Sequence, residues 1–136
     1  MKTLVIAAFL AAITCPAYAV GPRAGVYENI KYIEEAGDLV GMSVEFTAGP
    51  SPTVVVMDCE GACGAAQTWP AKVTGRNITF TVCDEVVDQN GHPVPCSPVH
   101  YRGRFLANGS LDLAVEGRPD TRLILRRVPK AKSRLR

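Results

Sequence analysis

Asp38-Leu39-Val40-Gly41-Met42-Ser43-Val44-Glu45-Phe46-Thr47 is the stretch that decides the fold. Val40, Met42, Val44 and Phe46 alternate with Gly41, Ser43 and Glu45, so every second side chain is apolar. Successive side chains of a strand point to opposite faces, and this period of two puts the four apolar groups on one dry face. A helix would scatter them around its circumference.

The same pattern recurs along the chain. Trp69, Ala71 and Val73 alternate with polar residues, as do Ile78, Phe80 and Val82 after them. Further on, Val99, Tyr101, Gly103 and Phe105 alternate with His100, Arg102 and Arg104, followed by Leu111, Leu113 and Val115, then Leu123 and Leu125. Val26 to Ile33 reads as a first strand. Thr53 to Cys59 holds the unbroken apolar run Val54 to Met57, as expected of a strand buried on both faces or covered by a loop.

The joints carry turn chemistry, such as Gly49-Pro50-Ser51-Pro52, Asn108-Gly109 and Gly117-Arg118-Pro119-Asp120. Short joints make sequence neighbours antiparallel neighbours in space. The exception is the segment from Asp84 to Val99, a longer loop with three prolines. About eight strands so joined predict an all-β fold, a small antiparallel meander that forms a closed or nearly closed barrel. A two-sheet sandwich is the competing architecture.

Residues 1–19 read as a secretory signal peptide: Lys2, an apolar run from Leu4 to Ile13, and Ala17-Tyr18-Ala19 at the cleavage site. The expectation is therefore an exported chain, periplasmic or secreted. A second reading makes Cys15 the lipid-bearing first residue of a lipoprotein, but Thr14 fits that rule poorly. Residues 20–128 are expected to form one barrel domain and 129–136 a basic flexible tail. No later apolar run is long enough for a transmembrane helix.

Cleavage after Ala19 leaves Cys59, Cys63, Cys83 and Cys96, an even set in an oxidising compartment. Cys59 and Cys63 flank a tight joint, and Cys83 and Cys96 bracket the long loop, so pairing 59–63 with 83–96 is favoured over the other two connectivities. Zinc is the rival fate, but the second pair is too widely spaced for a knuckle, and no metal is expected. Asp88-Gln89-Asn90-Gly91 resembles part of a calcium loop without its outer acidic ligands, and reads better as a polar turn. No nucleophile elbow, His-x-x-x-His pair or phosphate loop is present, so no enzyme activity and no cofactor are expected.

Charge is lopsided. From Val20 to Leu125 there are eight basic and thirteen acidic residues, whereas Arg126 to Arg136 holds six basic and none acidic. The tail could bind an anionic surface or the protein's own acidic body. It lacks aromatic residues for base stacking, so no nucleic-acid partner is expected. Arg102, Arg104, Arg126 and Arg127 are a candidate anion-binding set, against the simpler reading of wet-face arginines whose stems cover apolar surface.

Four short motifs, Gly25-Val26-Tyr27-Glu28-Asn29, Gly37-Asp38-Leu39-Val40-Gly41, Tyr101-Arg102-Gly103-Arg104-Phe105 and Asn108-Gly109-Ser110-Leu111, resemble those of small secreted bacterial β-barrels, broadly similar to lipocalin- and avidin-like barrels. The resemblance implies a barrel architecture. Tyr27 stands where lipocalins carry tryptophan, and Trp69 is the chain's one tryptophan where avidins have several, so no family ligand site carries over. The function expected is a non-enzymatic binding module for a small apolar ligand or an envelope partner. Met42, Phe46, Trp69, Phe80, Tyr101 and Phe105 are its expected interior. The alternative is an exported inhibitor of a hydrolase acting through the 84–95 loop.

Overall fold

The computed structural model describes residues 21–83 and 86–132. The expected leader, 1–19, and the loop residues Asp84 and Glu85 lie outside the described residues, as does 133–136 of the expected tail. The strands are β1 (Gly25–Glu28), β2 (Lys31–Ile33), β3 (Asp38–Thr47), β4 (Thr53–Cys63), β5 (Gln67–Thr74), β6 (Asn77–Val82), β7 (Val86–Val87), β8 (Pro93–Val94), β9 (Val99–Phe105), β10 (Leu111–Val115) and β11 (Arg118–Val128). Eight of them, β1, β3, β4, β5, β6, β9, β10 and β11, form a closed antiparallel ring, because β1 bonds to both β3 and β11. Closure rules out the sandwich and leaves no edge in that ring. The only helix among the described residues is one 3-10 turn, Lys130–Lys132.

Closure is tighter at one end than at the other. The lower end carries the 48–52, 75–76 and 106–110 connections, and there the neighbouring strands are hydrogen-bonded except that Ala71 to Thr74, the lower half of β5, pair with β6 alone. Towards the upper end β5 splits its loyalties: Gln67 to Pro70 pair with β4, and Ala71 to Thr74 with β6. Pro70 has no N–H and marks the change of partner. On the opposite side β11 pairs with β1 only from Arg126 to Val128, and β2 pairs with β3 alone. Two seams therefore open in the upper wall.

The expected first strand is interrupted at Asn29. Its two parts keep one register on β3, Glu28 opposite Ser43 and Lys31 opposite Val40, so β2 is the same arm continued beyond the ring. The 84–98 segment is not simply a loop: β7 and β8 make a two-stranded ribbon, with Gly91 at a positive φ of 79° in its turn. β11 begins at Arg118, so the expected four-residue turn shrinks to Glu116-Gly117, and a bulge between Leu113 and Val115 absorbs the difference.

The core is the dry set of each strand. Tyr27, Val44, Phe46, Val54, Ile78, Leu111, Leu113 and Leu125 are buried in one cluster with Phe80 and Phe105. Each such side chain contributes roughly 1.5–3 kcal/mol of burial. Gly103 has no room for a side chain: a Cβ there would lie 2.9 Å from Leu113 Cδ1 and 3.0 Å from the Asp112 carbonyl. Small and large residues thus interlock across β9 and β10.

Candidate functional site

The upper end holds a cavity of about 280 Å³ lined by Met42, Val56, Asp58, Gly64, Ala65, Gln67, Trp69, Val82, Val99 and Tyr101. Strand pleat puts these side chains there. Met42 lies on the face of Val44 and Phe46, Asp58 on the face of Val54 and Val56, and Trp69 on the face of Ala71 and Val73. The seam between the start of β5 and the end of β6 lets Gln67, Trp69 and Val82 border an opening instead of bonding each other.

Both disulfides sit at this end. Cys59 joins Cys63 with Cα atoms 4.0 Å apart, and Cys83 joins Cys96 with Cα atoms 5.5 Å apart. The first closes the end of β4 into a small ring, and the Gly64 N–H donates to the Asp58 carbonyl at 2.9 Å, which brings Gly64 and Ala65 to the rim. The second necks the β7–β8 ribbon. Two structural disulfides accord with an oxidising, extracytoplasmic setting.

The six expected interior residues separate into two groups. Met42, Trp69 and Tyr101 line the cavity, and Phe80 stacks on Tyr101 with ring centroids 5.1 Å apart. Phe46 and Phe105 instead pack below, 5.1 Å from each other, with Tyr27 5.5 Å from Phe105. The rings thus fill the middle of the barrel, the upper cavity opens above them, and a hollow of about 490 Å³ lined by Phe46, Pro50, Pro52, Ala71 and Val73 lies at the lower rim. The indole N–H of Trp69 is shielded from solvent and has no acceptor among the described residues. Such a donor costs about 1–3 kcal/mol until something accepts from it. Val56, Asp58, Gln67 and Val82 were not among the residues expected to form a site, although continuing the period of two from Val54 through Val56 points to Asp58.

Charge is sorted along the barrel axis. Around the upper end stand Glu34, Glu35, Asp38, Asp58, Glu60, Asp88, Glu116 and Asp120, against Lys31, Arg102 and Arg118. At the lower end Arg23, Arg76, Arg126, Arg127, Lys130 and Lys132 outnumber Glu28 and Glu45. Lys130 Nζ reaches Glu45 Oε1 at 2.6 Å, so part of the expected tail folds onto the body.

The expected anion-binding set does not assemble. Arg102, Arg104 and Arg126 alternate with buried Gly103, Phe105 and Leu125 and so face outward. Arg127 points to the other face, where its Nη2 donates to the Ala24 carbonyl at 2.9 Å and its guanidinium covers Gly25. Arg102 is bound to Glu116 at 2.6 Å, and neighbouring Arg122 makes a two-pronged bond to Asp112 at 2.8 and 2.7 Å. Arg102 and Arg122 are thereby neutralised.

Seven of the eight large exposed apolar residues among those described belong to the upper end: Tyr32, Ile33 and Val40 on the β2–β3 extension, and Val86, Val87, Val94 and Val99 on or beside the ribbon. The ribbon turn is held by Asp88, whose Oδ1 accepts from the backbone N–H groups of Asn90 at 2.8 Å and His92 at 2.9 Å. Those two bonds, His92 first, hold its carboxyl below the usual range. Among the described residues no group of three His, Cys, Asp or Glu side chains could hold a metal ion, and no helix is long and apolar enough to cross a membrane.

Comparison of the chain with protein-family models, curated proteins and solved structures finds no match to any of them. The fold and this end of it define the class: a closed eight-stranded antiparallel barrel with a cavity at a disulfide-rimmed upper mouth.

Proposed function

We propose that this protein is an exported, non-enzymatic binding barrel that takes a small apolar ligand into its upper mouth. The division of the interior supports this most strongly: Phe46, Phe105 and Tyr27 pack against one another below, whereas Met42, Val56, Trp69 and Tyr101 face open space above. A cavity walled by apolar and aromatic side chains with a few polar groups is the usual form of a small-ligand site. Native mass spectrometry of protein purified from its own source tests the reading. A stoichiometric small molecule released on denaturation is expected, and uniformly ligand-free protein that takes up no apolar probe contradicts it.

The second reading, an inhibitor of a hydrolase, has one observation in its favour. The β7–β8 ribbon stands on the Cys83–Cys96 disulfide and exposes Val86, Val87 and Val94. Replacing 84–95 with a Gly/Ser bridge separates the two readings. Under the inhibitor reading partner capture is lost while mouth binding is kept, and unchanged capture ends it.

A further inference from the structure

We infer that the upper mouth recognises a neutral apolar carbonyl compound, a small ketone or ester, whose oxygen accepts the Trp69 indole N–H, and disfavours the matching ammonium ion. The inference rests on the reading of the mouth as a ligand site and adds the group by which the ligand is held. Trp69 stands on the inward face of β5 and walls the cavity together with Met42, Val56, Val82 and Tyr101. Its Nε1 is shielded from bulk water and meets no acceptor among the described residues. Burial has removed the water that would otherwise satisfy this donor, so an acceptor delivered to it gains the whole of a missing hydrogen bond.

The indole N–H can only donate. A hydrocarbon or an ammonium ion, neither of which carries an acceptor, leaves it unpaired. A carboxylate accepts, but none of the residues lining the cavity is a lysine or arginine that could accompany its charge into an apolar site. A carbonyl oxygen meets the donor without burying a charge. Gln67 lies two residues earlier on the same face of β5 and also lines the cavity, where its amide offers a donor to the oxygen's second lone pair. Among the described residues the Trp69 ring is held by packing alone, so a tilt that turns Nε1 towards the open space breaks no hydrogen bond. The cavity, about 280 Å³, suits a ligand at the small end of the usual range.

Trp69 is the chain's one tryptophan, so growth on β-(benzothien-3-yl)alanine replaces its N–H by sulfur at this position alone and keeps the shape of the ring. The test is calorimetric titration of the full mature chain, with Trp69 or with its sulfur analogue, using 4-phenylbutan-2-one, (3-methylbutyl)benzene and 3-phenylpropylammonium. The exchange should weaken the ketone about three- to tenfold and the hydrocarbon less than about twofold. In the unaltered protein the ketone should bind about threefold or more tighter than the ammonium. The single indole N–H resonance of isotope-labelled protein should move downfield with the ketone and not with the hydrocarbon. Ammonium binding as tight as the ketone's, or a ketone affinity indifferent to the exchange, overturns the acceptor assignment and leaves the mouth a ligand site. If none of the three binds, the ligand site itself falls and the inference with it. Should the analogue protein fail to fold, the indole resonance decides: no downfield shift with bound ketone overturns the proposal.

Discussion

Asn29 and Met42 exchange a hydrogen-bond pair in which a side chain replaces a carbonyl. The Asn29 N–H donates to the Met42 carbonyl at 3.1 Å, and the Met42 N–H is received at 2.8 Å by Asn29 Oδ1. The register survives, but the arm parts from β11 at this point and the upper seam begins. Gly41, at a φ of 124°, fits beneath, where a Cβ would come within 2.9 Å of the Asn29 carbonyl.

Asn29→Ala should therefore strand the N–H of buried Met42 and lower stability by about 1–3 kcal/mol. Urea unfolding followed by circular dichroism measures it. Asn29→Asp, which keeps the acceptor, should cost clearly less.

Gly103→Ala should destabilise by roughly 1–3 kcal/mol, since the added methyl meets Leu113 Cδ1 at 2.9 Å and a backbone oxygen that cannot swing away. Leu113→Val in the same chain should relieve only part of the loss. Equal stability of Gly103→Ala and the parent would contradict the packing described for β9 and β10.

The two disulfides should differ in worth. Loop-closure entropy gives about 3 kcal/mol for Cys83–Cys96 and about 2 kcal/mol for the much smaller ring of Cys59–Cys63. Paired Cys→Ser variants compared by thermal and urea unfolding check the order. Limited proteolysis should cut the ribbon far faster in the Cys83–Cys96 variant.

The ribbon turn should loosen in acid. Asp88 has a depressed pKa in the folded chain, so its contribution is present above the unfolded value and is lost as pH falls through the folded one. The Asn90 and His92 amide resonances should titrate together with a midpoint below the ordinary aspartate value of about 3.9. A midpoint at or above that value would contradict the two bonds to Asp88.

Much of the barrel is legible in the sequence because alternation is a local signal. Val40 to Phe46, Ile78 to Val82 and Leu111 to Val115 each declare a dry face without knowledge of their neighbours. What stays hidden depends on partners. Nothing local says that Pro70 divides β5 between two strands, or that Asn29 turns its side chain into a backbone surrogate. Val86-Val87 and Pro93-Val94 are too short to show a period. Arg126 and Arg127 look like one basic block until alternation sends them to opposite faces. Met42, Trp69 and Tyr101 could be assigned to the interior but not to its open half, since that depends on where the seams fall.

The central claim, a ligand-accepting mouth above a ring-filled middle, is tested most directly by energy transfer from Trp69 to the neutral apolar fluorophore N-phenyl-1-naphthylamine. Saturable one-to-one uptake with quenching of Trp69 is predicted, together with its loss in Val82→Phe, which fills the cavity. Absence of transfer, or transfer unchanged in Val82→Phe, would contradict the account.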